Sequence, residues 1–247
     1  MLDRFIYTAM TGAKHTMGQL GNTAHNLANV QTPGFREMLS SFRAVPIDGV
    51  SADSRAFVVD STPGSDFTPG TVNVTGNPLD VSIKGAGLFA VRRADGSEVY
   101  TRAGNFSLDD QGALRGPAGS WVQGLEGDIV IEPGSSEMVI SSDGQVQVTL
   151  PGDTFPTVVG QLKLVDPPVH SLTREPDGFY SAGEEPLLPS TQARVLQGSL
   201  EASNVNVAQA MVQMIQQNRL FDLNVRLIQV AEQNAKSAGN LMSLSRG

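Results

Sequence analysis

The chain has 247 residues, of which 40% are hydrophobic and 17% charged, and this ordinary globular composition excludes wholesale disorder. Its formal net charge of -8 argues against a nucleic-acid partner, because a surface that follows phosphates needs clustered basic side chains. The absence of cysteine excludes disulfides and thiolate chemistry, and no apolar run approaches the roughly 20 residues of a membrane helix.

An amphipathic helix is predicted at the amino terminus. Apolar residues recur there every three or four positions, which places them on one helical face. The segment Thr32-Pro33-Gly34 should end the helix, because proline disfavours helical geometry at the preceding residue. The predicted seam of this helix consists of Ile6, Ala9, Ala13, Met17, Leu20 and Leu27.

The next segment, residues 35–75, follows no single periodicity and contains three prolines. We therefore predict a partly extended connector that becomes ordered in contact with its neighbours.

Residues 76–195 are predicted to form an all-β domain, built as a small sandwich or barrel. Residues 46–195 hold 13 of the 14 prolines, and apolar residues alternate with polar ones in several short runs. Asp95-Gly96, Asp143-Gly144 and Asp177-Gly178 predict tight turns between strands. Trp121, the only tryptophan, is expected to anchor the core of this domain.

A second long helix is predicted from Asn206 onward, because Asn206 and Gln209 have the spacing of a capping box. Its predicted seam consists of Val207, Met211, Met214, Phe221, Val225 and Ile228. Residues 1–45 carry a net charge of +2 and residues 196–247 one of +1, so the segment between them carries -11. An amphipathic helix without a core of its own must bury its stripe on another helix. We expect the two terminal helices to pair in a coiled-coil-like domain.

Three patterns suggest an enzyme, but each has a structural explanation. Gly85-Ala86-Gly87-Leu88-Phe89-Ala90 matches the dinucleotide-binding spacing, yet the chain continues as strand, without the helix that a pyrophosphate requires. Asp109-Asp110 and Glu184-Glu185 could serve a cell-wall hydrolase, but they resemble a hairpin turn and a solvated loop. The three histidines have no metal-ligand spacing. We expect no catalytic, cofactor-binding or metal-binding residues, and a hydrolase stays as the alternative from another class.

Three segments together resemble the bacterial flagellar basal-body rod and hook proteins: His25–Arg36, Thr75–Gly85 and Glu201–Asn206. The first resembles the family's N-N-L-A-N-x-x-T-x-G-[FY] signature, with His25 in place of the first asparagine, and the third resembles its S-N-V-N entry to the last helix. Tyr100–Phe106 resembles the family's Y-T-R-x-G-x-F segment. The residues that carry the motif are Asn26, Leu27, Ala28, Asn29, Gly34, Phe35, Gly76, Asn77, Leu79, Asp80, Ser203, Asn204, Val205 and Asn206.

The resemblance implies a structural axial subunit of the rod, without enzymatic activity and without a small-molecule partner. Its expected partners are itself, the neighbouring proximal and distal rod proteins, and the flagellar type III export apparatus, which would carry it to the periplasmic rod without a cleaved Sec signal. The opening Ile6–Ala13 resembles the proximal rod proteins more than the distal ones, which remain the alternative within the family. The resemblance also implies a rod-core domain from residues 1–34 and 196–247 and a β-rich outer domain from residues 76–195.

Overall fold

A computed structural model describes residues 2–46, 56–132, 137–150, 155–168, 171–183 and 185–244. The described chain divides into two compact units. The helical unit contains helix α1 (Leu2–Ala28), strand β1 (Met38–Pro46), nearly all of strand β2 (Ala56–Ser65) and helix α2 (Val207–Leu244). The β unit contains Asn29–Glu37 and Ser65–Val205.

In the helical unit, α1 and α2 run antiparallel. The Thr23 side chain, near the end of α1, contacts Gln217, near the start of α2. Gly12, which comes earlier in α1, approaches Asn224, which comes one heptad later in α2. Asn206 caps α2 as predicted, because its Oδ1 accepts a hydrogen bond from the Gln209 N–H at 3.1 Å. Neither described helix combines the length and apolarity that crossing a bilayer requires.

Helix α1 ends at Ala28, a little before the predicted boundary at Thr32. The Thr32 N–H donates to the Asn29 carbonyl at 3.1 Å, and the Thr32 hydroxyl donates to Asn29 Oδ1 at 3.2 Å. These local bonds form a turn in place of another helical turn, as asparagine and threonine often do.

Residues 35–75 were predicted to be extended, and they include β1 and β2, which pair in a two-stranded sheet. The sequence pattern indicated extended chain, and Asp48-Gly49 between the two strands carries the Asp-Gly turn signal, but the pairing of these strands was not predicted. Strands also precede α2, so the boundary of the helical unit lies at Asn206, whereas the predicted segment starts at residue 196.

In the part of the β unit that the structure describes, short antiparallel strands form four sheets. The strands are β3 Val72–Val74, β4 Val81–Lys84, β5 Leu88–Arg92, β6 Glu98–Thr101, β7 Ser107–Leu108, β8 Leu114–Arg115, β9 Trp121–Val122, β10 Glu137–Ile140, β11 Gln145–Thr149, β12 Thr157–Gln161, β13 Leu164–Val165, β14 Thr173–Arg174, β15 Tyr180–Ser181, β16 Arg194–Gln197 and β17 Ser199–Glu201. The largest sheet has the order β14-β15-β6-β5-β9-β8-β7, and β13 also pairs with β5. The other sheets are β10-β11-β12, β16-β4 and β17-β3.

The core of the β unit lies on both faces of β5. Phe89 joins the larger cluster, which contains Val81 and Ile83 of β4 and Val146 of β11. Leu88 and Ala90 face a second cluster with Tyr100, Val165 and Tyr180. A strand that is buried on both faces has a continuous apolar sequence, whereas strands with one solvated face alternate, which explains both patterns in this segment.

The three predicted Asp-Gly turns are confirmed. Gly96 has φ +89°, Gly144 has φ +86° and Gly178 has φ +89°, and each glycine lies in the turn between two paired strands. A positive φ strains any residue with a Cβ, so glycine is favoured at these positions.

The prediction that Trp121 anchors the core is wrong. Strand pairing places Trp121 opposite both Arg92 and Arg115, and the three side chains share one face of the sheet. Their guanidinium carbons lie 5.2 Å and 3.9 Å from the indole centroid, so the half-buried ring is held by cation–π contacts. The burial of Trp121 was predicted from the large apolar area of its indole alone. In the structure, the register of the neighbouring strands places two arginines beside the indole.

Candidate assembly surface and arginine clamp

On each terminal helix, a set of buried and half-buried residues follows a four–three spacing, and we call this set the inner face. On α1 it consists of Ile6, Ala9, Ala13, Thr16, Leu20, Thr23 and Leu27, and on α2 of Ala210, Met214, Gln217, Phe221, Asn224, Ile228 and Ala231. This spacing is the heptad pattern of paired helices.

The predicted seam coincides with the inner face at eight of its twelve positions. Ile6, Ala9, Ala13, Leu20, Leu27, Met214, Phe221 and Ile228 lie on the inner face. Met17 is 63% exposed, and Thr16 takes its place. Val207 and Met211 are 38% and 50% exposed, and Val225 is half-buried. Hydrophobicity favoured methionine over threonine, but the structure buries threonine on the face that holds a polar contact between the helices.

That polar contact joins Thr23 and Gln217. Gln217 Nε2 donates to Thr23 Oγ1 at 3.0 Å, and the same hydroxyl donates to the Gln19 carbonyl at 3.0 Å. Gly12 permits a close approach, because a Cβ at this position would lie 3.0 Å from Asn224 Oδ1. Gln217 Oε1 is buried without a hydrogen-bond partner among the described residues. Small and polar residues therefore occupy much of the inner face, which limits its apolar area.

Helix α2 also carries an exposed apolar surface that we call the outer stripe. It consists of Val212, Ile215, Leu220, Leu223, Leu227 and Val230, each between 43% and 54% exposed. At 100° per residue this stripe is centred about 130° around α2 from the centre of the inner face, with Leu220 and Leu227 at its nearer edge. A helix with apolar residues on two sides buries both only if it has a second partner.

In the β unit, three buried charges form what we call the arginine clamp. Glu201 Oε1 lies 2.7 Å from an Arg36 terminal nitrogen, and Glu201 Oε2 lies 2.6 Å from Arg102 Nε. The three side chains are at most 3% exposed. The Gly70 N–H also donates to Glu201 Oε1, at 2.9 Å. The clamp joins the segment that follows α1 to strand β17, which precedes α2 in the chain.

The glycine loop that matches a nucleotide motif belongs to this clamp. The terminal N–H groups of Arg102 donate to the carbonyls of Ile83, Gly85 and Gly87. The loop thus presents carbonyl oxygens to a cation, which is the opposite polarity to a phosphate site. Strand β5 begins at Leu88, so the expected strand follows the loop.

Gly34 and Asn204 bring the first and last family segments together. The Gly34 N–H donates to the Glu201 carbonyl at 2.8 Å, and a Cβ on Gly34, which has φ +68°, would lie 2.4 Å from the Arg102 carbonyl carbon. Asn204 Oδ1 accepts the Glu37 N–H at 2.7 Å, and its Nδ2 donates to the Asp66 carbonyl at 2.8 Å. A side chain larger than hydrogen cannot occupy position 34 without moving the backbone.

The remaining motif residues also have structural contacts. The Asn26 side chain donates to the Met38 carbonyl at 3.0 Å and accepts the Met38 N–H at 2.8 Å, which ties β1 to α1. Asn77 Oδ1 accepts the Leu79 N–H, and its Nδ2 donates to Asp80 Oδ1, both at 3.2 Å. Phe35 and Val205 are buried, Asn29 lies in the turn after α1, and Ala28 is the exposed last residue of α1. The Gly76 N–H donates to the Gly198 carbonyl at 3.1 Å, and the Ser203 hydroxyl accepts the Val205 N–H at 3.2 Å.

Arg36, Arg102 and Glu201 all lie within the family segments, but no pattern in the sequence predicts that they form a cluster. Each is a single charge among apolar and small residues, and no periodicity connects them. The sequence does contain one signal for the cluster. Each of the three charges lies in a segment whose neighbouring residues are otherwise buried, and a buried charge needs a partner.

Of the carboxylates that could serve a hydrolase, Asp109 has a structural role and Glu184 lies outside the residues that the structure describes. Asp109 accepts the N–H groups of Gln111 and Ala113 at 3.0 Å and 2.8 Å and pairs with Arg115 at 2.8 Å. The Ala113 N–H, and with it Arg115 and the Gln111 N–H, lowers the pKa of Asp109 below its ordinary value. Glu184 is outside the described residues. Within the described ranges, no group of three or more histidines and carboxylates could hold a metal ion.

Comparison with known proteins gives two family models and several full-length relatives. Residues 82–148 match the flagellar hook protein FlgE/F/G D1 domain, and residues 196–241 match the flagellar basal body rod FlgEFG protein C-terminal model. The chain is 42% identical to the flagellar basal-body rod protein FlgF of Escherichia coli strain K12 and 40% identical to that of Salmonella typhimurium strain LT2, over 99% of this chain and 100% of each relative. It is 30% identical to FlgG of Buchnera aphidicola subsp. Schizaphis graminum, over 96% of this chain and 98% of the relative. The chain is therefore more similar to these FlgF proteins than to this FlgG protein. By this full-length similarity, and by the paired helices and motif contacts described above, the chain belongs to the flagellar basal-body rod protein family.

Proposed function

We propose that the chain is a structural subunit of the proximal part of the flagellar rod and that it polymerises through its terminal helices. The observation that carries the proposal is the outer stripe of α2, which the chain's own α1 leaves exposed. Identity to FlgF proteins along nearly the whole chain supports the proximal position, and kinship with rod proteins supports a structural role over a catalytic one.

The inner face would hold α1 and α2 together as a coiled-coil-like pair, and the outer stripe would contact helices of neighbouring subunits. Tyr7, Met10 and Met17 of α1, each more than half exposed, would add to the inter-subunit surface. In the assembled rod the helices would line the inner tube, and the acidic β unit would face outward. Burial of six half-exposed aliphatic side chains supplies a driving force that grows with every subunit added.

Family membership supports the following proposal for partners and location. The partners would be further copies of this chain and the neighbouring proximal and distal rod proteins. Export would use the flagellar type III apparatus, and the polymer would lie in the periplasm. The proposed role involves no small molecule.

A pair of substitutions on α2 tests the proposal. Leu223→Asp places a carboxylate in the outer stripe, whereas Asn218→Asp places one on the exposed flank of the same helix. In a strain that depends on this chain for motility, Leu223→Asp should abolish rods, because a carboxylate in a dry helix contact is costly, and Asn218→Asp should preserve them. Circular dichroism should show that both variants keep the helix content of the parent chain. Normal rods from Leu223→Asp would contradict the proposal.

Crosslinking identifies the neighbours, because a single introduced cysteine is the only thiol in the chain. Cysteine at Leu223 should give adducts with axial proteins in purified basal bodies. The identities of these proteins decide between the proximal and the distal position. Cysteine at Asn218 serves as the matched control, and protein recovered only as a soluble monomer would refute polymerisation.

A further inference from the structure

Strand β3 is an edge strand of the β unit, with β17 on one side only. Hydrogen bonds of 2.8 Å tie the Thr71 carbonyl and the Thr75 N–H to the β17 side, so the ladder spans residues 71–75. Antiparallel ladders alternate along the strand, so the N–H and C=O groups of Val72 and Val74 point away from β17. Among the described residues, these groups have no hydrogen-bond partner.

One face of this edge lacks the cover that the neighbouring strand has. On β17, Ser199 and Glu201 are at most 2% exposed. Their direct partners on β3, Val74 and Val72, share the same face but are 85% and 49% exposed. The buried face of the sheet therefore continues beyond the residues with which this chain covers it.

The sequence of β3 contains none of the usual devices that protect an edge. Charged side chains, proline within the strand and β-bulges normally prevent edge strands from pairing with other chains. No charged residue occurs in residues 67–79, no proline occurs in residues 71–75, and the register of β3 with β17 has no shift. An edge of this kind can accept a further strand through its free backbone groups.

The sequence of the edge also indicates which strand it accepts. Residues 71–75 are Thr-Val-Asn-Val-Thr, a sequence that is the same in both directions. In an antiparallel pair of two such strands centred on Asn73, Val72 of each copy lies opposite Val74 of the other, and their free N–H and C=O groups bond to each other. Residues 46–195 carry a net charge of -11, so two copies repel over most of this segment and approach most easily where charge is absent.

We propose that two copies of this chain join through β3 in this two-fold antiparallel pair. The contact is separate from the proposed polymer. A two-fold contact uses the same surface on both copies and closes on itself, whereas a rod needs contacts that repeat along its length. The pair therefore forms between subunits outside the rod, and it covers an edge that would otherwise accept strands of other chains.

Sedimentation of the full chain carrying Leu223→Asp tests the pair without polymerisation through the outer stripe. This chain should show a weak, reversible monomer–dimer equilibrium, because five residues a side bury less area than a standard interface. Val74→Pro should raise the dissociation constant at least tenfold, since proline lacks an N–H that crosses the pair and that β17 does not use. A chain that is monomeric up to about 1 mM, or a dimer that Val74→Pro leaves unchanged, would overturn the proposal.

A charge at the edge supplies a second variant and its matched control. Val74→Lys and Val158→Lys place the same charge on exposed valines, one on β3 and one on the edge strand β12. Val74→Lys should weaken the dimer at least tenfold, and Val158→Lys should leave it unchanged. A dimer that is lost in Val158→Lys and kept in Val74→Lys would assign the contact to β12 and contradict the proposal. Leu223→Asp does not alter β3, so a failure of the polymer proposal leaves this test valid.

Disulfide formation tests the register of the pair. Asn73 lies at the two-fold axis opposite its own copy, in a non-hydrogen-bonded position where Cα atoms are about 4.5 Å apart, which a disulfide can span. The chain has no cysteine, so Asn73→Cys should give covalent dimers on mild oxidation. Thr71→Cys should form them at least tenfold more slowly, because Thr71 lies opposite Thr75 of the other copy. Equal rates for the two variants would be evidence against the two-fold pair.

Discussion

Replacing Glu201 by glutamine should destabilise the β unit strongly. The side chain is 1% exposed, and its two oxygens face Arg36 at 2.7 Å, Arg102 at 2.6 Å and the Gly70 N–H at 2.9 Å. Glutamine has one acceptor oxygen and no charge, so its amide nitrogen must face a donor, and two buried guanidiniums lose their counter-charge. Removing one partner from a buried ion pair costs about 3–5 kcal/mol, and two cations share this partner, so we expect about 4 kcal/mol.

Urea unfolding followed by fluorescence measures this loss. Trp121 is the only tryptophan and lies in β9, so its emission reports on the β unit alone. With a slope of about 2–3 kcal/mol/M, the midpoint should fall by about 1.3–2 M.

The matched control neutralises an ion pair that is more exposed. Asp128→Asn breaks the contact with Arg92, whose side chain is 38% exposed, and should cost about 1 kcal/mol or less. If Glu201→Gln lowers the midpoint no more than this control, the arginine clamp does not carry the stability we assign to it. Adding Arg36→Met to Glu201→Gln should restore part of the loss, because it removes one unpaired buried cation.

Three further outcomes are expected. Gly34→Ala should lower the free energy of unfolding clearly more than Gly96→Ala in the same urea assay. Both glycines have positive φ, so alanine at either position adds about 1 kcal/mol of strain. A Cβ at position 34 also meets the Arg102 backbone, whereas the space around position 96 is open. Burial raises the pKa of Tyr100 from 10.0 to about 12, so the folded state holds this proton more tightly than the unfolded state. The contribution of Tyr100 to stability should be fully present well below pH 10 and fall by roughly 2–3 kcal/mol as the pH rises towards 12, and Tyr100→Phe should remove this contribution to the slope. Gln217→Leu should raise the melting temperature of the helices in circular dichroism, because it removes a buried oxygen that has no partner among the described residues. A lower melting temperature would show that the hydrogen bond from Gln217 to Thr23 contributes more than the unpartnered oxygen costs.

Local signals in the sequence predicted those parts of the fold that depend on neighbouring residues. The cap at Asn206 and the turns at Gly96, Gly144 and Gly178 are confirmed, because each is decided within a few residues of backbone. Trp121 was placed wrongly, since its surroundings depend on which strands lie beside β9.

The candidate site divides in the same way. Periodicity identified eight of the inner-face positions, yet it selected Met17 where the structure buries Thr16, because no single-helix pattern contains the contact between Thr23 and Gln217. The outer stripe escaped notice because apolar residues on two sides of one helix weaken its periodic signal.

By itself, the sequence determined two long helices around a β-rich segment, the location of the negative charge, and the motifs of the rod family. Only the tertiary structure decided that Arg36, Arg102 and Glu201 meet, and that Gly34 lies against the Arg102 backbone. The physical reason is range: helix periodicity, caps and turns are set by contacts within about one helical turn. A buried charge cluster instead joins residues separated by up to 165 positions, and it exists only once the whole chain between them has folded.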